Sequence, residues 1–193
     1  MFLFSHPSDD QVRQFLKAQE RVDFSYPEVG STGSSVPAGY NIDHNRIRLG
    51  NGIDAFHRAK AAIQAWKMFD LPWVKLYYRD TPIEVGRTVA ILVRHFGFYS
   101  LNAARIVYLI DEEADIHRFG FVYGTLAEHS EIGEERFSVE YDPVTGDVWY
   151  DLFAFSRPGH YLAKLGYPLS RFLQKAFAEE SKRTMLQAVS SFP

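Results

Sequence analysis

A chain of 193 residues, 46% hydrophobic and 16% aromatic, is long enough for one domain with a sizeable core. Its formal net charge of −3 gives no basic field for nucleic acid or an anionic membrane, and the lack of cysteine excludes disulfides, thiolate chemistry and Cys-type zinc sites. The opening MFLFSHP has neither the basic region nor the apolar length of a signal peptide, and no later run is long enough to span a bilayer, so a cytoplasmic protein is expected.

Ser8 with Gln11 three residues on makes a capping-box pattern, and Asp9 and Asp10 stand where the helix dipole favours acids; a short helix from about Asp9 to Glu20 is predicted. GSTGSSVPAG, residues 30–39, reads as a connecting loop. Tyr40 to Leu49 is a first strand. After Gly50-Asn51-Gly52, apolar residues from Ala55 to Phe69 recur at helical spacing and predict a helix over about Ile53 to Phe69.

From Val74 onward the period changes to two. Strands are predicted over Val74 to Arg79, Arg87 to Phe96, Asn102 to Asp111, His117 to Leu126, Glu134 to Tyr141 and Asp147 to Phe155. The links between them are too short for helical crossovers, so the sheet should be an antiparallel meander that curls. Ser156 as N-cap and Pro158 at the first helical position are read as opening a long C-terminal helix, with Leu162, Leu165, Leu169, Phe172, Leu173 and Phe177 among its apolar members. Strand, helix, six-stranded meander and long helix make an α+β fold in which a curled sheet of about seven strands wraps the C-terminal helix.

The densest chemistry lies in Tyr123 to Phe137, YGTLAEHSEIGEERF. Alternation puts Glu135 on one face with Phe137, Val139 and Tyr141, and Glu134 with Arg136 and Ser138 on the other. If the first face is buried, Glu135 is either paired with an arginine such as Arg105 or Arg87, or kept as a ligand anchor or an acid/base of raised pKa. His129 and Glu131, two residues apart, are too few for a metal site; His129 either hydrogen-bonds the turn or rims the cavity mouth, where its charge would change near pH 6.5. Tyr123 and Thr125 offer hydroxyls. Arg157 either clamps an acidic ligand group or pairs with Glu131 or Glu134.

Gly50-Asn51-Gly52, Trp66 followed by Phe69, Tyr123-Gly124-Thr125-Leu126, His129-Ser130-Glu131, Gly133-Glu134-Glu135-Arg136-Phe137 and Phe155-Ser156-Arg157-Pro158 together resemble an uncharacterised family, domain of unknown function nineteen-ninety. The likeness runs from about Phe24 to Val189. The order of elements resembles the helix-grip fold of the START and birch-pollen-allergen superfamily, which implies a cavity for an apolar or amphipathic small molecule between sheet and long helix. Residues 1–23 are then an N-terminal helical extension and 24–193 the helix-grip domain. On that scaffold Glu135 and His129 are the catalytic candidates, and Tyr123, Thr125, Phe137, Tyr141, Arg157 and Phe177 the ligand-binding ones. No metal or organic cofactor is called for. Small-molecule binding is the first expectation; the alternatives are an enzyme using Glu135 as acid or base in a cyclisation, dehydration or hydrolysis, and an interaction module built on the charged hairpin.

Overall fold

The computed structural model describes residues 1–159 and 167–190. Its strands are β1 (Phe2–Leu3), β2 (Asn41–Asn51), β3 (Val74–Leu76), β4 (Thr88–Arg94), β5 (Tyr99–Glu113), β6 (His117–Thr125), β7 (Glu131–Tyr141) and β8 (Asp147–Pro158). Its α-helices are α1 (Asp9–Gln19), α2 (Ile53–Gln64) and α3 (Tyr167–Ser190). The strands form one antiparallel sheet in the order β2-β8-β7-β6-β5-β4-β3, and β1 pairs with β5 at Ser100 and Tyr99, beyond the end of β6. Consecutive pairing from β3 to β8 is the meander that the short links require, with β2 closing the far edge against β8. One of those links is a tight turn at Asp142. There Gly146 donates its N–H to the Asp142 carbonyl at 2.7 Å with φ 77°, and the Asp142 carboxylate accepts the Val144 N–H at 2.8 Å.

The concave face of the sheet carries the main core. Phe121, Phe137, Val139, Tyr150 and Leu152 meet Phe56, Ile63 and Trp66 from α2 and its exit, and Met185 and Val189 from α3. A second cluster lies on the opposite face, where Val12 and Phe15 of α1 pack on Ala90, Leu92, Leu101 and Ala103. The capping box forms as its residues predict: Gln11 N–H donates to Ser8 Oγ at 3.3 Å, and Ser8 N–H to Gln11 Oε1 at 2.8 Å. Arg105 caps the other end of α1, donating to the carbonyls of Gln19 and Glu20 at 2.7 and 3.0 Å.

β1 is absent from the sequence reading, β3 stops at Leu76 rather than Arg79, β5 and β7 start three residues earlier than expected, and two larger differences bear on the site. The helix expected over Ile53 to Phe69 stops at Gln64, because Trp66 takes a left-handed conformation (φ 54°) that turns its indole fully into the core, and a 3₁₀ turn, Lys67–Phe69, follows. Ser156, Arg157 and Pro158 do not open a helix. They extend β8, paired with Gly133, Ile132 and Glu131, and Pro158 is tolerated because it stands at the strand's last position. Leu162 and Leu165, expected on the long helix, lie outside the described residues. As described, α3 has 24 residues, a rod of about 36 Å.

Candidate functional site

The two halves of α3 do different things. Its C-terminal half is packed into the solid core through Met185 and Val189, while Leu169, Leu173 and Phe177 of the N-terminal half roof a cavity of about 960 Å³ above the concave face. The boundary between packed and open interior is an aromatic wall. Phe137 has no exposed surface, and its ring lies 5.2 Å from those of Phe121 and Tyr123 and 5.5 Å from that of Phe69. On the open side the floor is made by Leu152, Ala154 and Ser156 of β8, Ile91 and Val93 of β4, and Tyr123 and Thr125 of β6.

Three links hold the roof. Arg171 donates both guanidinium nitrogens to Asp43 of β2, at 2.5 and 2.7 Å. Gln174 donates to Ser156 Oγ at 3.1 Å, and Trp73 donates its indole N–H to Glu180 at 3.0 Å. Further along, the buried hydroxyls of Tyr150 and Ser181 meet at 2.9 Å and tie the helix to the sheet inside the core.

Glu135 lines the cavity, and its side chain has one partner, the Tyr123 hydroxyl, which donates at 2.6 Å. Burial pushes its carboxyl up to about 7, with the Tyr123 hydrogen bond pulling the other way. The same burial, with the charge of Glu135 beside it, raises the Tyr123 hydroxyl well above its ordinary value. The arginine pairing weighed for Glu135 does not form: Arg105 is committed to α1 and Thr88, and Arg87 pairs with Glu84. Glu131, two pleats along the same strand face, also borders the cavity without a side-chain hydrogen bond, and burial raises it to about 7 against the opposing pull of Arg171.

His129 borders the cavity in the β6–β7 turn, with Nδ1 3.0 Å from the backbone N–H of Glu131, which donates to it. It does not titrate near 6.5 as a rim histidine would, because burial drives it down to about 4 and leaves it neutral. Among the described residues no three His, Asp or Glu side chains gather as metal ligands would.

Of the sequence candidates, Tyr123, Thr125, His129, Glu135 and Phe177 come together around the cavity. Phe137 is the packed wall behind it, and Tyr141 is stacked on Phe56 at 5.7 Å, both outside the lining. Arg157 is exposed, its guanidinium over the Tyr40 ring at 4.7 Å. Strand parity turns it away from the cavity that Ser156 faces, and it pairs with neither Glu131 nor Glu134.

Two groups escaped the sequence reading. Asn102 is a buried polar residue in line with Ala104 and Ile106, on the face that meets the cavity; its Oδ1 accepts the Ser130 N–H at 3.1 Å, and its amide donates to Ser100 Oγ at 3.1 Å. A lone Asn in the apolar run of β5 was the available signal. The other is Glu134, only 2% exposed on the convex side. It accepts from Tyr26 Oη and Gly30 N–H at 2.7 Å, from Thr32 N–H at 2.9 Å and from Thr32 Oγ1. Gly124, opposite Glu134, is what admits Tyr26: a Cβ there would lie 2.1 Å from the Tyr26 hydroxyl. The Gly/Ser-rich segment therefore starts as a strap pinned to the back of the sheet. The hairpin does not present its charges as an exposed docking surface, since Glu131, Glu134 and Glu135 are drawn inward and Arg136 pairs with Asp151 at 3.0 Å.

A curled antiparallel sheet gripping a long C-terminal helix, with a lined cavity between them, defines a helix-grip fold. A UPF0548 protein of Dictyostelium discoideum is 39% identical over 209 aligned positions, covering 99% of this chain and 97% of its own. The family model of the domain of unknown function DUF1990 matches residues 25–184, and the chain belongs to that family. Among solved structures, a hypothetical protein from Helicobacter pylori superposes with a TM-score of 0.51 at 12% identity, covering 88% of this chain and 95% of its own. Human STARD10 superposes at 0.48 and 11%, covering 98% and 82%. The Helicobacter pylori protein is similar in fold.

Proposed function

We propose that the protein binds a small apolar or amphipathic molecule in the cavity between the sheet and the N-terminal half of α3. The cavity itself supports this reading. At about 960 Å³ it lies at the upper end of the range of small-molecule pockets, its walls are mainly apolar, and a few polar groups, Glu135, Tyr123, Thr125 and Asn102, converge in it. The side chain of Ala154 faces the cavity beside Glu135. Ala154→Phe is expected to abolish binding of a neutral probe such as dodecanol, read by titration calorimetry, while the domain still unfolds cooperatively. Unchanged affinity in that variant would overturn the assignment. No helix among the described residues is long and apolar enough to cross a membrane, and with the cysteine-free composition we place the protein in the cytoplasm.

The 2.6 Å contact between Tyr123 and a carboxyl raised to about 7 favours one further reading, an enzyme in which Glu135 is the acid or base. Glu135→Gln would then stop turnover of any molecule recovered from the cavity and leave its binding measurable; full turnover in that variant removes Glu135 from the role.

A further inference from the structure

The cavity holds two carboxylates that form no ion pair among the described residues. Glu131 and Glu135 stand on the same face of β7, paired with Pro158 and Ala154 across β8, about 13 Å apart along the strand. Among the described residues Glu131 has no side-chain hydrogen bond, and Glu135 has one oxygen without a partner beyond the one that takes the Tyr123 hydroxyl. The charged groups facing them do not compensate. Arg171 of α3 is engaged bidentately by Asp43 of β2, Glu179 on α3 pairs with Lys182 at 2.7 Å, Lys175 is exposed and forms no ion pair with either carboxylate, and His129 in the turn is neutral. An apolar cavity in which neither carboxylate is ion-paired among the described residues is electrostatically incomplete, because burying such a group is unfavourable until something offsets its charge.

We propose that the occupant supplies that cation: an amphipathic amine whose apolar body lies under Leu173 and Phe177 and whose basic nitrogen donates to the open oxygen of Glu135, with Glu131 as the second acidic contact along the strand. This rests on the cavity being a binding site. A long-chain carboxylate is the wrong partner, since it would add a third acid to a site with two.

The test compares three probes of one chain length, dodecylamine, dodecanol and dodecanoate, by titration calorimetry at pH 7.5 and fixed salt. The expected order is amine, then alcohol, then carboxylate, with at least a tenfold gap between amine and alcohol. That gap should collapse to less than threefold in Glu135→Gln, which keeps the size of the side chain and an oxygen for Tyr123, and should narrow in Glu131→Gln. Dodecanoate binding as tightly as dodecylamine, or an amine preference that survives both substitutions, overturns the proposal while leaving cavity binding intact. Failure of all three probes overturns cavity binding as well.

Discussion

Glu135 and His129 stand half-buried in the same cavity wall with opposite consequences for stability. The carboxyl of Glu135 is raised from 4.5 to about 7, so between those values the folded chain holds a proton that the unfolded chain has released, and stability falls as pH rises across that window. The full effect is about 3 kcal/mol above pH 7. His129 is lowered from 6.5 to about 4, so the unfolded chain takes up the proton first, and stability falls as pH drops from 6.5 towards 4. Urea unfolding of wild type and Glu135→Leu should therefore diverge with pH, the variant gaining about 3 kcal/mol on wild type between pH 4.5 and pH 8. A pH-independent difference would show that Glu135 is solvated in the folded state. Glu134 is the contrasting carboxylate, held by four donors from Tyr26, Gly30 and Thr32. Glu134→Ala leaves those buried donors unpaired and should cost about 3 kcal/mol in urea unfolding, with faster proteolysis within residues 24–40. Alternation alone distinguishes these two neighbours only as inward and outward. That the outward one is the better satisfied follows from the strap behind the sheet, which no local pattern in β7 announces.

At the scale of elements, α1 is a cover for the convex face. Val12 and Phe15 are buried against β4 and β5, and Arg105 holds the helix's C-terminal carbonyls. Phe15→Ala should destabilise the whole domain by about 3 kcal/mol in a single unfolding transition. A separate early transition would show α1 to be an appendage on an independent sheet. The helix itself was legible, because a capping box and a 3.6-residue period are local. Its docking site was not, since Ala90, Leu92, Leu101 and Ala103 read as one more alternating strand face until the curl of the sheet decides which side holds the main core. The misread start of the C-terminal helix has a similar cause. Ser-Arg-Pro suits an N-cap locally, but ladder bonds between Ser156 to Pro158 and β7 outweigh that preference.

For the whole molecule, packing is divided unequally: one end of the interior is filled by α2, the aromatic wall and the C-terminal half of α3, and the other is left open under the N-terminal half. A ligand that fills the open end stabilises the fold by mass action, by about 2.7 kcal/mol when its free concentration is a hundred times its Kd. For a chain of this size that should raise Tm by about 5–10 °C in a thermal melt. Ala154→Phe should remove most of that shift, since it occupies the same space; an equal shift in the variant would place the ligand elsewhere.

The sequence by itself determined most of the elements and the meander that connects them, because periodicity, capping residues and turn chemistry act over a few neighbours and short links allow only an antiparallel meander. It also determined that Glu135 shares a face with Phe137, since the side-chain period of a strand is two. The tertiary structure decided what those inward residues meet. Phe137 and Tyr141 became solid core while Tyr123, Thr125 and Glu135 border open space, a distinction set by where α2 ends at Gln64 and where α3 lies over the sheet. It decided also that no arginine reaches Glu135. Both outcomes depend on side chains far apart in the chain arriving, or failing to arrive, within van der Waals or hydrogen-bond distance, and no local pattern encodes that distance.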